Sequence, residues 1–132
     1  LFPYTTLFRS MKQINIILVG QADRKKDNLF SMLESIEAVS SIQLVDDCID
    51  VARILKSEIP VIILVDYRNP EEDSDKKISQ LILNKNVEHI VLLKSCNSPE
   101  SHFTHYTTSE LFYDEVSTEI LTNLLKNIQM SY

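Results

Sequence analysis

The stretch VIILVDYRNP, residues 61–70, runs five apolar residues straight into Asp66 and follows it with Arg68 and Pro70. A carboxylate at the mouth of a buried strand is costly unless a partner meets its charge. An aspartate held there can act as a nucleophile and take a phosphoryl group. The other reading is a scaffold that has kept the residue and lost the chemistry.

Other reactive side chains are sparse. His102 and His105 lie three apart and would share a helical face, as metal ligands can. No third ligand is evident nearby, and a polar surface stretch explains them more simply. Cys96 follows the apolar run 89–93 and is either a reactive thiol near the crevice or an ordinary surface thiol. The acidic run EEDSDKK, residues 71–77, reads as a solvated loop entering a helix. Cys48 and Cys96 lack metal-type spacing and read as reduced thiols of a cytoplasmic protein. A single glycine excludes a glycine-rich phosphate loop. The net charge of -6 argues against direct contact with nucleic acid, which needs clustered Lys and Arg. No window approaches the eighteen or so apolar residues of a membrane helix.

The elements that must position Asp66 are legible as an alternation. The chain of 132 residues is long enough for one domain. Its first ten residues, LFPYTTLFRS, resemble the conceptual translation of a common sequencing adapter, so residues 1–10 are expected to be a non-native leader and Met11 the natural start. From there, INIILV (14–19), IQLV (42–45), VIILV (61–65), HIVLL (89–93) and LFY (111–113) read as strands. Helical spacing covers 24–37 behind Asp23, a start at Asp47 and Asp50, 74–84, and a final helix capped by Ser117. Residues 99–108 read as a weak helix or an irregular stretch. Five βα units predict an α/β fold with a parallel sheet covered on both faces. The flavodoxin-like strand order 2-1-3-4-5 suits this size, and its crevice lies outside the ends of strands 1 and 3. That geometry puts Gly20, Gln21 and Asp66 together.

Residues 11–132 resemble the receiver domain of bacterial response regulators (CheY-like). The most specific match is Pro60, five apolar residues, Asp66, Arg68 and Pro70, the family's D-x-R-x-P ending of strand 3. SCNSPE (95–100) is similar to the loop after strand 4, and SxEIL (117–121) to the opening of the last helix. The resemblance implies that Asp66 occupies the phosphoacceptor position. It also shows departures. The family's acidic pair, which holds Mg²⁺, is replaced by Gly20 and Gln21; its Thr or Ser after strand 4 by Lys94; its Lys after strand 5 by Asp114; and its switch aromatic by Leu111, with Phe112 beside it.

Phosphoryl transfer to a carboxylate depends on cations that offset the gathering negative charge. Without the acidic pair, Asp66 would be a weak Mg²⁺ ligand at best, with Asp23, Asp46 or Asp47 as displaced alternatives. Lys94 is expected to reach Asp66 or Asp114, either replacing the lost cations or fixing the domain with an internal ion pair. The expected function is a non-enzymatic, cytoplasmic, receiver-like module of two-component phosphorelay signalling. It would act by protein–protein interaction with a histidine kinase or downstream regulator, with weak or no phosphorylation. It would use no cofactor, Mg²⁺ mattering only if phosphorylation is retained. A homodimer through strand 4, strand 5 and the last helix is expected, and neither nucleic acid nor a membrane as partner. The alternatives are a working receiver phosphorylated on Asp66 and a small flavodoxin-like ligand-binding or enzymatic domain.

Overall fold

The computed structural model describes residues 13–55, 59–99 and 107–130. The expected leader (residues 1–10), His102, His105 and most of the expected weak helix lie outside the described residues. Five strands, β1 (Ile14–Val19), β2 (Val39–Val45), β3 (Val61–Asp66), β4 (Val87–Lys94) and β5 (Thr108–Phe112), pair in parallel in the order β2-β1-β3-β4-β5. Among the described residues the helices are α1 (Arg24–Glu34), α2 (Cys48–Ile54), α3 (Ser74–Ile82) and α4 (Thr118–Met130), with a 3-10 turn at Tyr113–Glu115.

The central strands carry continuous apolar runs, residues 16–19, 61–65 and 90–93, because both faces of the sheet are covered. Strand alternation divides them between two cores. Ile16, Leu18, Ile62, Leu64, Val91 and Leu93 pack under α1 and α4 against Leu29, Leu33, Leu121, Leu125 and Ile128. Ile17, Val19, Ile63, Val65, Ile90 and Leu92 pack under α2 and α3 against Cys48, Val51, Ile78 and Leu81. Each such side chain contributes roughly 1.5–3 kcal/mol on burial.

Helix starts follow the expected caps. Asp23 accepts from the Lys26 amide at 2.8 Å, Asp47 from Ile49 at 3.3 Å, and Ser117 from Ile120 at 3.2 Å. The edge strands depart most from the sequence reading. β2 begins three residues earlier than the apolar run 42–45, because Val39 and Ser41 join its ladder, with Ser40 taken up by a register irregularity between them. The Ser41 hydroxyl donates to Asn15 Oδ1 at 2.7 Å. β5 begins at Thr108 and ends before Tyr113, pairing Thr108 with Ile90 and Phe112 with Lys94. At a sheet edge one side of the strand meets solvent, so polar residues join the ladder and no apolar run marks it.

Core and rim residues therefore differ sharply in what they contribute. Ile63→Ala, at a fully buried site, is expected to lower unfolding free energy by about 2–5 kcal/mol. Leu83→Ala, at a side chain left 85% exposed, should change it by less than about 0.5 kcal/mol. Denaturant midpoints at unchanged slope measure both.

Candidate functional site

The chain reverses its strand order between β1 and β3, and a cleft of about 320 Å³ opens at their carboxyl ends. Gly20, Gln21, Asp23, Asp47, Asp66 and Arg68 are among its lining residues. Val19 lies beside Val65 in the ladder, so the next residues, Gly20 and Asp66, face one another. Gly20 has φ +155°, and a Cβ built on it would lie 2.8 Å from the Asp66 Cβ. The glycine is required by backbone angle and by space. Any acid at this position would have to displace Asp66.

Asp66 is held by Arg68. The guanidinium donates from Nε to Asp66 Oδ1 at 2.9 Å and from Nη2 to Oδ2 at 2.6 Å. The Arg68 amide donates to Oδ1 at 3.1 Å. This two-pronged arrangement is the strong form of a charge-assisted pair. The same Nη2 donates to Asp23 Oδ2 at 2.9 Å, and the guanidinium carbon lies 4.5 Å from the centroid of the Tyr113 ring. Arg68 thus joins the end of β3, the cap of α1 and the turn after β5. Its bonds to Asp66 and Asp23 raise its pKa further, against the opposing effect of burial. The Lys26 amide, then Arg68, hold the Asp23 carboxyl below the usual carboxylate range. Burial, with the Asp66 charge adding to it, pushes the Tyr113 phenol up to about 12.

Further cations are assigned to the neighbouring strand ends. Lys26, almost fully buried, donates to the Gly20 carbonyl at 2.5 Å and to the Val45 carbonyl at 3.0 Å, tying α1 to the ends of β1 and β2. Lys77 bridges Asp47 at 3.1 Å and Asp73 at 3.5 Å. Burial acts to raise the Asp47 pKa, but the bonds from Lys77 and the Ile49 amide prevail and lower it. Asp114 pairs with Lys25.

Lys94 is a correction to the expectation. It pairs with Glu110 at 3.5 Å, not with Asp66 or Asp114. Strand alternation explains this: Lys94 shares a sheet face with Leu92, under α2 and α3, and Glu110 is the ladder partner of Leu92. Asp66 follows Ile62 and Leu64 toward the other face. Leu111 packs in the α1–α4 core and Phe112 is half exposed. The aromatic at the site is Tyr113, just beyond β5.

Sequence reasoning missed Arg68, Lys26 and Tyr113 as site residues. The Arg68 signal was present, since a side chain two residues past a strand end can fold back on it. Lys26 and Tyr113 reach the site only through tertiary packing. Asp46 lines the cleft, Cys96 is exposed, and Cys48 is buried with its thiol pushed up to about 11, mainly by burial.

The Mg²⁺ that the receiver resemblance implies does not fit these residues. The end of β1 offers Gly20 and Gln21 in place of carboxylates, and Arg68 takes both Asp66 oxygens. Among the described residues no group of three or more His, Cys, Asp and Glu side chains could hold a metal ion, and no helix is long and apolar enough to cross a membrane.

No protein-family model and no curated protein matches the chain. Two solved structures share its fold. One is a two-component transcriptional regulator AraC from Clostridium phytofermentans ISDg, at 17% identity and TM-score 0.64, covering 88% of this chain and 91% of that one. The other is the signal receiver domain of the response regulator NarL from Mycobacterium tuberculosis, at 16% identity and TM-score 0.63, covering 89% and 98%. The chain has the flavodoxin-like receiver fold expected from its sequence.

Gly20→Ala is expected to cost about 1–3 kcal/mol through backbone strain and the collision with Asp66, and Gln21→Asp, on an exposed side chain, less than about 0.5 kcal/mol. Chemical denaturation compares the two. The lowered carboxyls of Asp23, Asp47 and Asp114 contribute to the pH dependence on the acid side. A depressed folded-state pKa contributes stability above the unfolded value and loses it as pH falls through the folded one. Thermal melting should therefore be insensitive to these groups near neutrality and fall below the usual carboxylate range. Asp23→Asn should shrink that fall.

Proposed function

We propose that the chain is a receiver-like signalling module of a two-component or related regulatory system, working through protein–protein contact with phosphorylation of Asp66 absent or much weakened. One observation carries the reading. Arg68 bonds both oxygens of the carboxylate that would have to attack phosphorus, while Gly20, in place of an acid, packs against its Cβ. A phosphoryl donor needs a free oxygen in line and cations to offset three phosphoryl oxygens. Here the attacking oxygens are engaged, and Lys94 is turned to the other sheet face, toward Glu110.

Partners on this reading are a histidine kinase or a downstream regulator, in keeping with the two-component transcriptional regulator and the response-regulator receiver domain that share the fold. The face of β4, β5 and α4 offers Phe112, 51% exposed, and Ile120, 39% exposed, as apolar contact points for such a partner or for a second copy of the chain. The alternative, a working receiver, is favoured by one fact: a cation already sits at Asp66. If Arg68 swung outward it could follow a phosphoryl group.

Intact mass after incubation of the chain with a small-molecule phosphodonor, with and without Mg²⁺, tests the proposal. No added phosphoryl group is expected. A Mg²⁺-dependent adduct that disappears in Asp66→Asn would overturn it and make Asp66 a phosphoacceptor.

A further inference from the structure

We infer that Arg68 is a built-in cation whose guanidinium occupies the point on which the Asp23 and Asp66 carboxylates converge, closing the end of β3 to a divalent ion. The inference rests on the reading of this crevice as that of a receiver, and gives its regulation: the end of β3 is held in one state by the chain itself.

The geometry is specific. One nitrogen, Arg68 Nη2, lies 2.6 Å from Asp66 Oδ2 and 2.9 Å from Asp23 Oδ2. A divalent ion sits about 2.0–2.6 Å from carboxylate oxygens. An ion bridging these two oxygens would therefore coincide with the guanidinium and meet its positive charge. Nor can proton loss remove that charge, because arginine stays protonated throughout the accessible pH range. A lysine here would be a point charge with no matching fork; the arginine engages both Asp66 oxygens and Asp23 together.

The guanidinium is also fixed from several directions. Asp23 is immobilised as the cap of α1 by the Lys26 amide, the Tyr113 ring covers one face of the guanidinium, and the Arg68 backbone follows Asp66 by two residues. A metal ion exchanges with solvent, and a phosphoryl group is added and removed. A tethered guanidinium does neither. The contacts that join β3 to α1 and to the turn after β5 are thus present without any diffusible signal.

Mn²⁺ added to ¹⁵N-labelled protein tests this without a phosphodonor. In the wild type the amide signals of Gly20, Asp23 and Asp66 should show no selective paramagnetic broadening, and millimolar Mn²⁺ should leave the melting temperature unmoved. Arg68→Ala should melt lower than wild type without metal. With Mn²⁺ it should gain both selective broadening at those amides and a rise in melting temperature. Asp66→Asn in the Arg68→Ala background should abolish both responses. Selective broadening in the wild type, or a folded Arg68→Ala that ignores Mn²⁺, overturns the inference. If Arg68→Ala does not fold, Arg68→Met keeps the buried stem and takes its place, and the wild-type spectrum still decides. An Arg68→Ala protein that binds Mn²⁺ yet takes no phosphoryl group upholds the inference and counts against phosphoacceptor chemistry alone.

Discussion

A carboxylate at the end of a fully buried strand must have its charge met, and the pairing of Asp66 with Arg68 meets it. The rest of the crevice is arranged around that pair. Gly20 lacks a Cβ where Asp66 occupies the space. Asp23 caps α1 and also completes the coordination of the guanidinium. Tyr113 lies buried against its face. Both side chains are only partly exposed at the cleft, so removing either partner leaves the other's charge poorly compensated and is destabilising.

The same device recurs along the carboxyl edge of the sheet. Parallel strands end there with carbonyls and acidic caps concentrated in a small area. Lys26 takes the carbonyls of Gly20 and Val45, and Lys77 bridges Asp47 and Asp73. These contacts differ in weight. Lys26 is buried and its loss would take a donor from the Gly20 carbonyl, while the Val45 carbonyl would keep the Gly20 amide; Lys25 and Asp114 meet in solvent, where such pairs contribute little. At the end of β3 the Asp66 and Asp23 carboxylates are already met by Arg68 and have little left to offer a soluble cation. That pairing is what supports the proposal of a contact surface there.

Lys94 shows how one strand period redirects a functional argument. Its sequence position, at the end of β4 beside β3, suggests a reach to Asp66. The two-residue repeat of a strand instead sends it with Leu92 to the α2–α3 side, where Glu110 waits on β5. The cation at Asp66 comes from the loop following its own strand, two residues away.

The layered architecture and the position of Asp66 could be read from apolar periodicity and short connections, and the strand order from the arrangement that suits five βα units of this size. The caps at Asp23, Asp47 and Ser117 were legible for the same reason: capping is local, decided within three residues. The edges of β2 and β5 were not, since half-exposed strands accept polar residues and lose the apolar signal. Which charge meets which emerged on folding. Arg68, Lys26 and Tyr113 come together through strand ends and helix caps distant in sequence, and long side chains choose partners by face and reach, which no linear spacing records.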